Sequence, residues 1–298
     1  MPLPTKGVIA ALWTPIDRSG KLLSTELAAH VRFLRQHGIH GMMVLGSTGG
    51  FPLLSVNQRK EVLAVARSHA PDLPSMANIS DTRPEVVADL GRFARALGYG
   101  SISLLPPWFY SYDQEDLAEF LVRGAEAAGL PVFLYNFPER TGNRLDLQTI
   151  ASVANRVPVA GVKQSGSDFE YHRELVALGR QKKFVVLTGA DTRLPEAMEL
   201  GVTGVVSGLS NAVPDLLVKL YQAVVDKKLP TVTRLGRRLA EIAAGIARVK
   251  FPADVAAVME ARRLPVGYSK TIQSPASRKR YEAAVTRTRT RFERWKLA

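Results

Sequence analysis

Val132-Phe-Leu-Tyr135-Asn-Phe-Pro and Val159-Ala-Gly-Val-Lys163-Gln-Ser are two apolar runs that each end in polar residues, with Tyr135 and Lys163 28 positions apart. That separation is the length of one strand and its crossover helix, so the two residues are expected at the same end of neighbouring parallel strands. Outward from this pair, short β-type runs recur at Val8 to Leu12, Gly41 to Leu45, Ser75 to Ile79 and Ser101 to Leu105, and again at Phe184 to Thr188 and Gly204 to Ser207. With Val132 to Tyr135 and Val159 to Lys163, they make eight strand candidates. The intervening stretches carry apolar residues at helical spacing, as in Val86, Val87, Leu90, Phe93, Ala94 and Leu97.

Helix start signals support the alternation. Ser55 with Gln58 has the spacing of a capping box, Pro84 suits a first helical turn, and Asp113 and Asp168 are placed to cap their helices. Eight βα units most simply close into a (β/α)8 TIM barrel, with an open doubly wound α/β sheet as the alternative. The chain of 298 residues has room for the barrel over residues 1–228 and a C-terminal helical extension packed on it over 229–298. No linker rich in glycine or serine separates the two.

Composition narrows the chemistry. Cysteine is absent, which removes disulfides, thiolate metal sites and cysteine nucleophiles, and fits a reducing compartment. The N-terminus lacks the pattern of a signal peptide and no stretch is apolar enough to span a bilayer, so a cytoplasmic protein with no membrane partner is expected. The net charge of +13 is concentrated in the tail, where residues from Thr231 onward contribute sixteen Lys or Arg against five Asp or Glu. Charge spread around the final helical pattern, with Tyr281, Val285, Phe292 and Trp295 as apolar contacts, reads as a solvated helix rather than a nucleic-acid surface.

The polar segments fall after the strands, where barrel active sites collect. Lys163 closes strand six. An amine is a nucleophile only when deprotonated, and desolvation beside an apolar strand disfavours the ammonium. A phenol such as Tyr135 in the same pocket can pass a proton to and from the carbinolamine on the way to an imine. Gly46-Ser47-Thr48-Gly49-Gly50, after strand two, offers two hydroxyls and closely spaced N–H groups suited to a small carboxylate or a phosphate. Arg140, after strand five, is suited to a bidentate carboxylate contact. The five histidines, His30, His37, His40, His69 and His172, fall on helices or before a strand, so no metal site is expected.

In order along the chain, Gly-Ser-Thr-Gly at 46–49, Tyr-Asn-Phe-Pro-Glu-Arg-Thr-Gly at 135–142 and Gly-Val-Lys at 161–163 resemble the dihydrodipicolinate synthase and N-acetylneuraminate lyase family of pyruvate-dependent class I aldolases. Looser matches are Pro106 to Tyr110, Thr188 to Asp191 and Leu264 to Gly267, so the likeness runs over almost the whole chain. The resemblance implies a lyase in which Lys163 forms a Schiff base with pyruvate or a 2-keto-3-deoxy acid, and in which Tyr135 shuttles the proton. It also implies that Ser47 and Thr48 hold the substrate carboxylate, with Thr48 counted among the catalytic residues, and that Arg140 grips a second carboxylate. Gly189, after strand seven, and Val206, in strand eight, complete the substrate-binding set. The cofactor is none beyond the covalent lysine imine, and a homo-oligomer, tetramer or dimer, is implied.

Three departures set the limits of the resemblance. Gly50 stands where the family loop usually carries glutamate, and Ser47 is the form common among sugar-acid aldolases, whereas the synthases carry threonine. Phe109 falls where the synthases carry a tyrosine lent by a partner subunit, and Tyr110, next in line, is the candidate replacement in that relay. Two further readings are a strict 4-hydroxy-tetrahydrodipicolinate synthase, using pyruvate and aspartate semialdehyde, and a non-catalytic barrel that binds a 2-oxo acid.

Overall fold

The structure, a computed structural model, describes residues 2–166 and 168–297; Met1, Ser167 and Ala298 fall outside them. Eight parallel strands close a barrel in sequence order: β1 (Gly7–Ala11), β2 (Gly41–Val44), β3 (Ser75–Asn78), β4 (Ser101–Leu104), β5 (Val132–Asn136), β6 (Val159–Gln164), β7 (Val185–Thr188) and β8 (Gly204–Ser207). The (β/α)8 architecture is the one expected from the alternation, and the doubly wound alternative is excluded by closure. Each strand coincides with an apolar run within a residue or two of its expected ends. Strands β1 to β5 and β8 are buried at every position, as interior strands covered on both faces must be.

The helices are α1 (Ser24–Gln36), α2 (Val56–His69), α3 (Pro84–Ala96), α4 (Gln114–Ala128), α5 (Pro138–Thr141), α6 (Leu147–Arg156), α7 (Phe169–Lys182), α8 (Leu194–Glu199) and α9 (Pro214–Val225). Three more, α10 (Leu229–Ile246), α11 (Ala253–Ala261) and α12 (Pro275–Trp295), form the C-terminal extension. The capping box forms as read: Ser55 Oγ accepts from Gln58 N, and Gln58 Oε1 accepts from Ser55 N. Asp168 caps α7 by accepting from Tyr171 N. Asp113 occupies the N-cap of α4 but makes no side-chain cap bond, a departure from its expected role.

The chain forms two compact units. The first comprises Met1–Ile9, His40–Val44 and Asp72–Val206, and holds nearly all of the barrel strands with α3 to α8. Gly7 N donates to Thr203 O at 3.0 Å beside the closure of the barrel. The second comprises Ala10–Ile39, Leu45–Pro71 and Ser207–Ala298, so the extension shares a unit with α1, α2, α9 and the segment after β2. Within it, α12 packs on α11 and α10 and buries Ala284, Val285, Thr288 and Phe292. Tyr281 is half-buried and donates to Glu260 Oε2 at 2.7 Å, while Trp295 is half-buried with the Arg238 guanidinium 5.2 Å from its ring centroid. Several arginines of α12 are spent on the protein itself: Arg278 pairs with Glu282, and Arg287 and Arg289 donate to the carbonyls of Gly245 and Glu260. Among the described residues no helix is long and apolar enough to cross a membrane.

Candidate active site

Register brings the first two residues together. Strands β5 and β6 pair so that Tyr135 is opposite Lys163 and Asn136 opposite Gln164. Strand alternation then turns Tyr135 and Lys163 to one face and Asn136 and Gln164 to the other. Lys163 is only 4% exposed, and its Nζ lies 3.8 Å from the centroid of the Tyr135 ring. On another side Nζ donates weakly to Met43 Sδ at 3.8 Å, from strand β2. A sulfur and a ring face are soft neighbours that solvate a charge far less well than water.

The ring stack continues outward. Phe137 lies nearly parallel to Tyr135 at 5.9 Å between centroids, and the Arg140 guanidinium is 5.8 Å from the Phe137 centroid. Arg140 belongs to α5, the four-residue helix started by Pro138 and ended by Gly142 at φ +74°, and is itself exposed. Four residues hold too little periodicity for the sequence to reveal this helix.

Behind the face that carries Tyr135 and Lys163, a buried polar layer links the strand ends. Asn136 Nδ2 donates to Gln164 Oε1 at 2.8 Å, and Asn136 Oδ1 accepts from Leu145 N at 3.1 Å. Gly189 N donates to Gln164 O at 2.8 Å. A β-carbon on Gly189 would stand 2.2 Å from Ser165 Oγ and 3.2 Å from Ser165 Cα, so the β7 exit approaches the β6 exit closely here. Val206 is buried within β8. His172, fully buried, interacts through Nδ1 with Asp168 O at 2.8 Å and through Nε2 with Thr188 Oγ1 at 3.2 Å. Burial lowers its pKa, against the upward pull of the hydrogen bond to Asp168.

The segment after β4 projects its aromatics. Asn143, 4% exposed, donates through Nδ2 to Pro107 O at 2.9 Å and Tyr110 O at 2.8 Å, and accepts at Oδ1 from Tyr112 N at 3.1 Å. Thus pinned, the segment leaves Phe109 85% and Tyr110 68% exposed, their rings in edge contact at 4.9 Å. Phe109 sits at φ +84°, a backbone region that a bulky residue rarely enters.

In the second unit, Ser47–Gly49 forms a 3-10 turn after Gly46, and Gly50 N donates back to Ser47 O at 3.0 Å. Thr48 is buried and Ser47 half-buried. Arg59 of α2, 4% exposed, supports the following turn by donating from Nε to Phe51 O and Leu54 O at 3.1 and 3.2 Å. Asn211 is a hub: its Nδ2 donates to Ala11 O and Gly208 O, and its Oδ1 accepts from Trp13 N and His30 Nε2. His30 is fully buried, and desolvation takes its pKa down to about 4 against the upward pull of the Asn211 bond.

The first unit brings Lys163 and Tyr135 together, holds Gly189 just after β7 and Val206 within β8, and links Arg140 to Tyr135 through the ring of Phe137. Ser47 and Thr48 occupy their turn in the second unit, and Tyr110 faces solvent. Sequence reading missed Met43, Asn143 and Asn211. Their roles depend on partners far along the chain, and for the two asparagines these are largely backbone groups that carry no sequence signal. Among the described residues, no group of three or more His, Asp or Glu is gathered to hold a metal ion.

Known proteins are similar to this chain as a whole. The model of the dihydrodipicolinate synthetase family matches residues 4–288. An uncharacterised DapA-like lyase of Halobacterium salinarum is 29% identical over 267 residues, covering 89% of this chain and 87% of its own. A 4-hydroxy-tetrahydrodipicolinate synthase of Methanothrix thermoacetophila is 28% identical over 237 residues, 80% of each chain. Among solved structures, YagE, a prophage protein of the dihydrodipicolinic acid synthase family from E. coli K12 determined with pyruvate, superposes with a TM-score of 0.89. It is 24% identical, with 98% of this chain and 99% of that one covered, a likeness of fold.

Proposed function

The chain belongs to the dihydrodipicolinate synthetase family, and from that premise we propose a Schiff-base-forming lyase that acts on pyruvate or a 2-keto-3-deoxy acid through Lys163. The observation that carries the assignment to Lys163 is its buried Nζ against the ring of Tyr135, 3.8 Å from the centroid, at the end of paired barrel strands.

The chemistry runs in balanced steps. The unprotonated amine of Lys163 attacks the keto carbon, and a proton passes from nitrogen to the former carbonyl oxygen to give a carbinolamine. Tyr135 carries that proton and the one that lets water leave, which yields a protonated imine. The imine accepts the electron pair released when the adjacent carbon loses a proton or a carbon–carbon bond, forming an enamine. Reprotonation and hydrolysis return the keto acid and free Lys163; capture of an aldehyde instead makes a new bond. Ser47 and Thr48 hold the carboxylate through hydroxyls and turn N–H groups, Gly189 and Val206 shape the pocket, and Arg140 binds a second anionic group.

The same proposal takes residues 1–228 as the barrel and 229–298 as its helical extension, in a cytoplasmic homo-oligomer. Phe109 and Tyr110 support the oligomer, since two adjacent aromatics at 85% and 68% exposure are a costly surface for a lone protomer. Tyr110 is then the phenol offered to a neighbouring site.

Borohydride reduction in the presence of pyruvate tests the central claim. The intact protein is expected to gain one reduced pyruvate adduct, mapped to Lys163 by peptide mass spectrometry. Lys163→Ala is expected to gain none there, and undiminished trapping in that variant would remove Lys163 from the mechanism.

A further inference from the structure

Gly50 has a physical reason to lack a side chain. A β-carbon there would stand 2.9 Å from Cδ and 3.6 Å from Cε of Lys270, and Gly50 adopts φ +70°. The stem of Lys270 thus fills the space that a side chain at position 50 would need. Its ammonium donates to Thr14 O and lies 4.3 Å from the centroid of the Trp13 ring. Burial lowers the ammonium's pKa to about 8.

Lys270 is the last link of a strap. Trp13 Nε1 donates to Val266 O at 2.9 Å, and Tyr268 N donates to Ile16 O at 2.6 Å. Between these bonds Gly267, at φ +71°, lets the strap lie flat on Ile16, where a β-carbon would be 2.5 Å from Ile16 O. The residues so fastened, Trp13 to Ile16, also back the Ser47–Gly50 turn. A β-carbon on Gly49 would stand 2.8 Å from Leu12 O and 2.9 Å from Thr14 Oγ1. Thr14 is fully buried, and its hydroxyl has no hydrogen-bond partner among the described residues. The backbone of Leu12, the side chain of Thr14 and the stem of Lys270 thus lie against the turn on this side.

We propose that Lys270 is a positioning residue for the carboxylate-binding turn, anchoring the first-strand exit through Thr14 and filling the volume beside Gly50 in place of a side chain on the turn. The inference rests on the proposed lyase reading, in which Ser47 and Thr48 take the 2-oxo acid carboxylate. It assigns the C-terminal extension a part in substrate binding while giving Lys270 no contact with reacting atoms. Loss of Lys270 therefore weakens capture of the keto acid more than it slows the chemistry.

The test uses the full chain, pyruvate as probe, and two readouts. Lys270→Ala is expected to raise the pyruvate concentration for half-maximal borohydride trapping by about tenfold or more, with the rate at saturation kept within about threefold. Lys270→Met, which keeps the stem and loses the ammonium, is expected to fall between wild type and Lys270→Ala. Hydrogen exchange of the peptide over residues 46–54 is expected to accelerate in Lys270→Ala.

Gly50→Ala supplies a cycle. Its positive-φ strain is present in both backgrounds and cancels, so an effect on half-saturation smaller in Lys270→Ala than in wild type reports the contact itself. Purely additive effects, or unchanged exchange and half-saturation in Lys270→Ala, would overturn the role of Lys270. Absence of any adduct in wild type would instead sink the lyase reading and the substrate half of this proposal, leaving exchange to judge the strap. A variant that no longer melts cooperatively is replaced by Lys270→Met, for which the same two outcomes decide.

Discussion

A single side chain can be judged by what surrounds it. Tyr135 presents its ring to Lys163 and is 1% exposed, so its aromatic body fills core volume as well as facing the amine. Tyr135→Phe keeps that volume and removes only the hydroxyl. The variant is expected to fold normally and to turn over about 10²-fold more slowly, as steady-state pyruvate release measures; wild-type kinetics would remove the phenol from the proton path. His30 makes a prediction about stability. The unfolded chain takes up a proton on this residue near pH 6.5, whereas the folded protein resists doing so until about pH 4. The stability held by the neutral ring is therefore complete above pH 6.5 and is lost as pH falls toward 4, by up to about 3 kcal/mol. Urea midpoints between pH 7 and pH 4 check this, and His30→Gln is expected to flatten the slope. Nothing in the sequence distinguished His30 from the other histidines, because its state is set by burial and by Asn211, 181 positions away.

Elements were legible in proportion to their length and regularity. All eight strands stood out because each apolar run is bounded by polar or glycine-rich turns, and the motif residues 46–49, 135–142 and 161–163 follow or end three of them. Position along a strand also carried Tyr135 and Lys163 to one register, as their spacing predicts. Short and irregular pieces were opaque. The helix Pro138–Thr141 and the strap from Val266 to Lys270 have no periodicity, and the fastening of the strap depends on carbonyls of Ile16 and Thr14. The loop after β4 belongs to the same class, since its shape is set by Asn143. Asn143→Ala removes two donors and an acceptor from a buried position and is expected to cost about 2 kcal/mol. Thermal unfolding measures the loss, and faster hydrogen exchange confined to residues 107–112 would locate it. Protection unchanged there would mean that the loop holds its own shape.

At the scale of the molecule, charge and connectivity were readable where assembly was not. The basic tail folds into three helices, and its arginines are partly used within its own unit, on Glu282 and on backbone carbonyls of Gly245 and Glu260. The sequence does not reveal that the tail belongs to the same compact unit as the turn after β2, because the joining bonds run from Val266, Tyr268 and Lys270 to residues 13–16. The aromatic pair held out by Asn143 has a practical corollary. Chymotrypsin, whose specificity slot takes large apolar rings, has two adjacent cleavage points at Phe109 and Tyr110 on an accessible loop. A dissociated protomer is expected to be nicked there first, whereas burial of those rings between subunits would shield the bond. The band pattern of a brief digest at falling protein concentration would thus read out subunit separation, and prompt cleavage at every concentration would argue for a protein that lives alone.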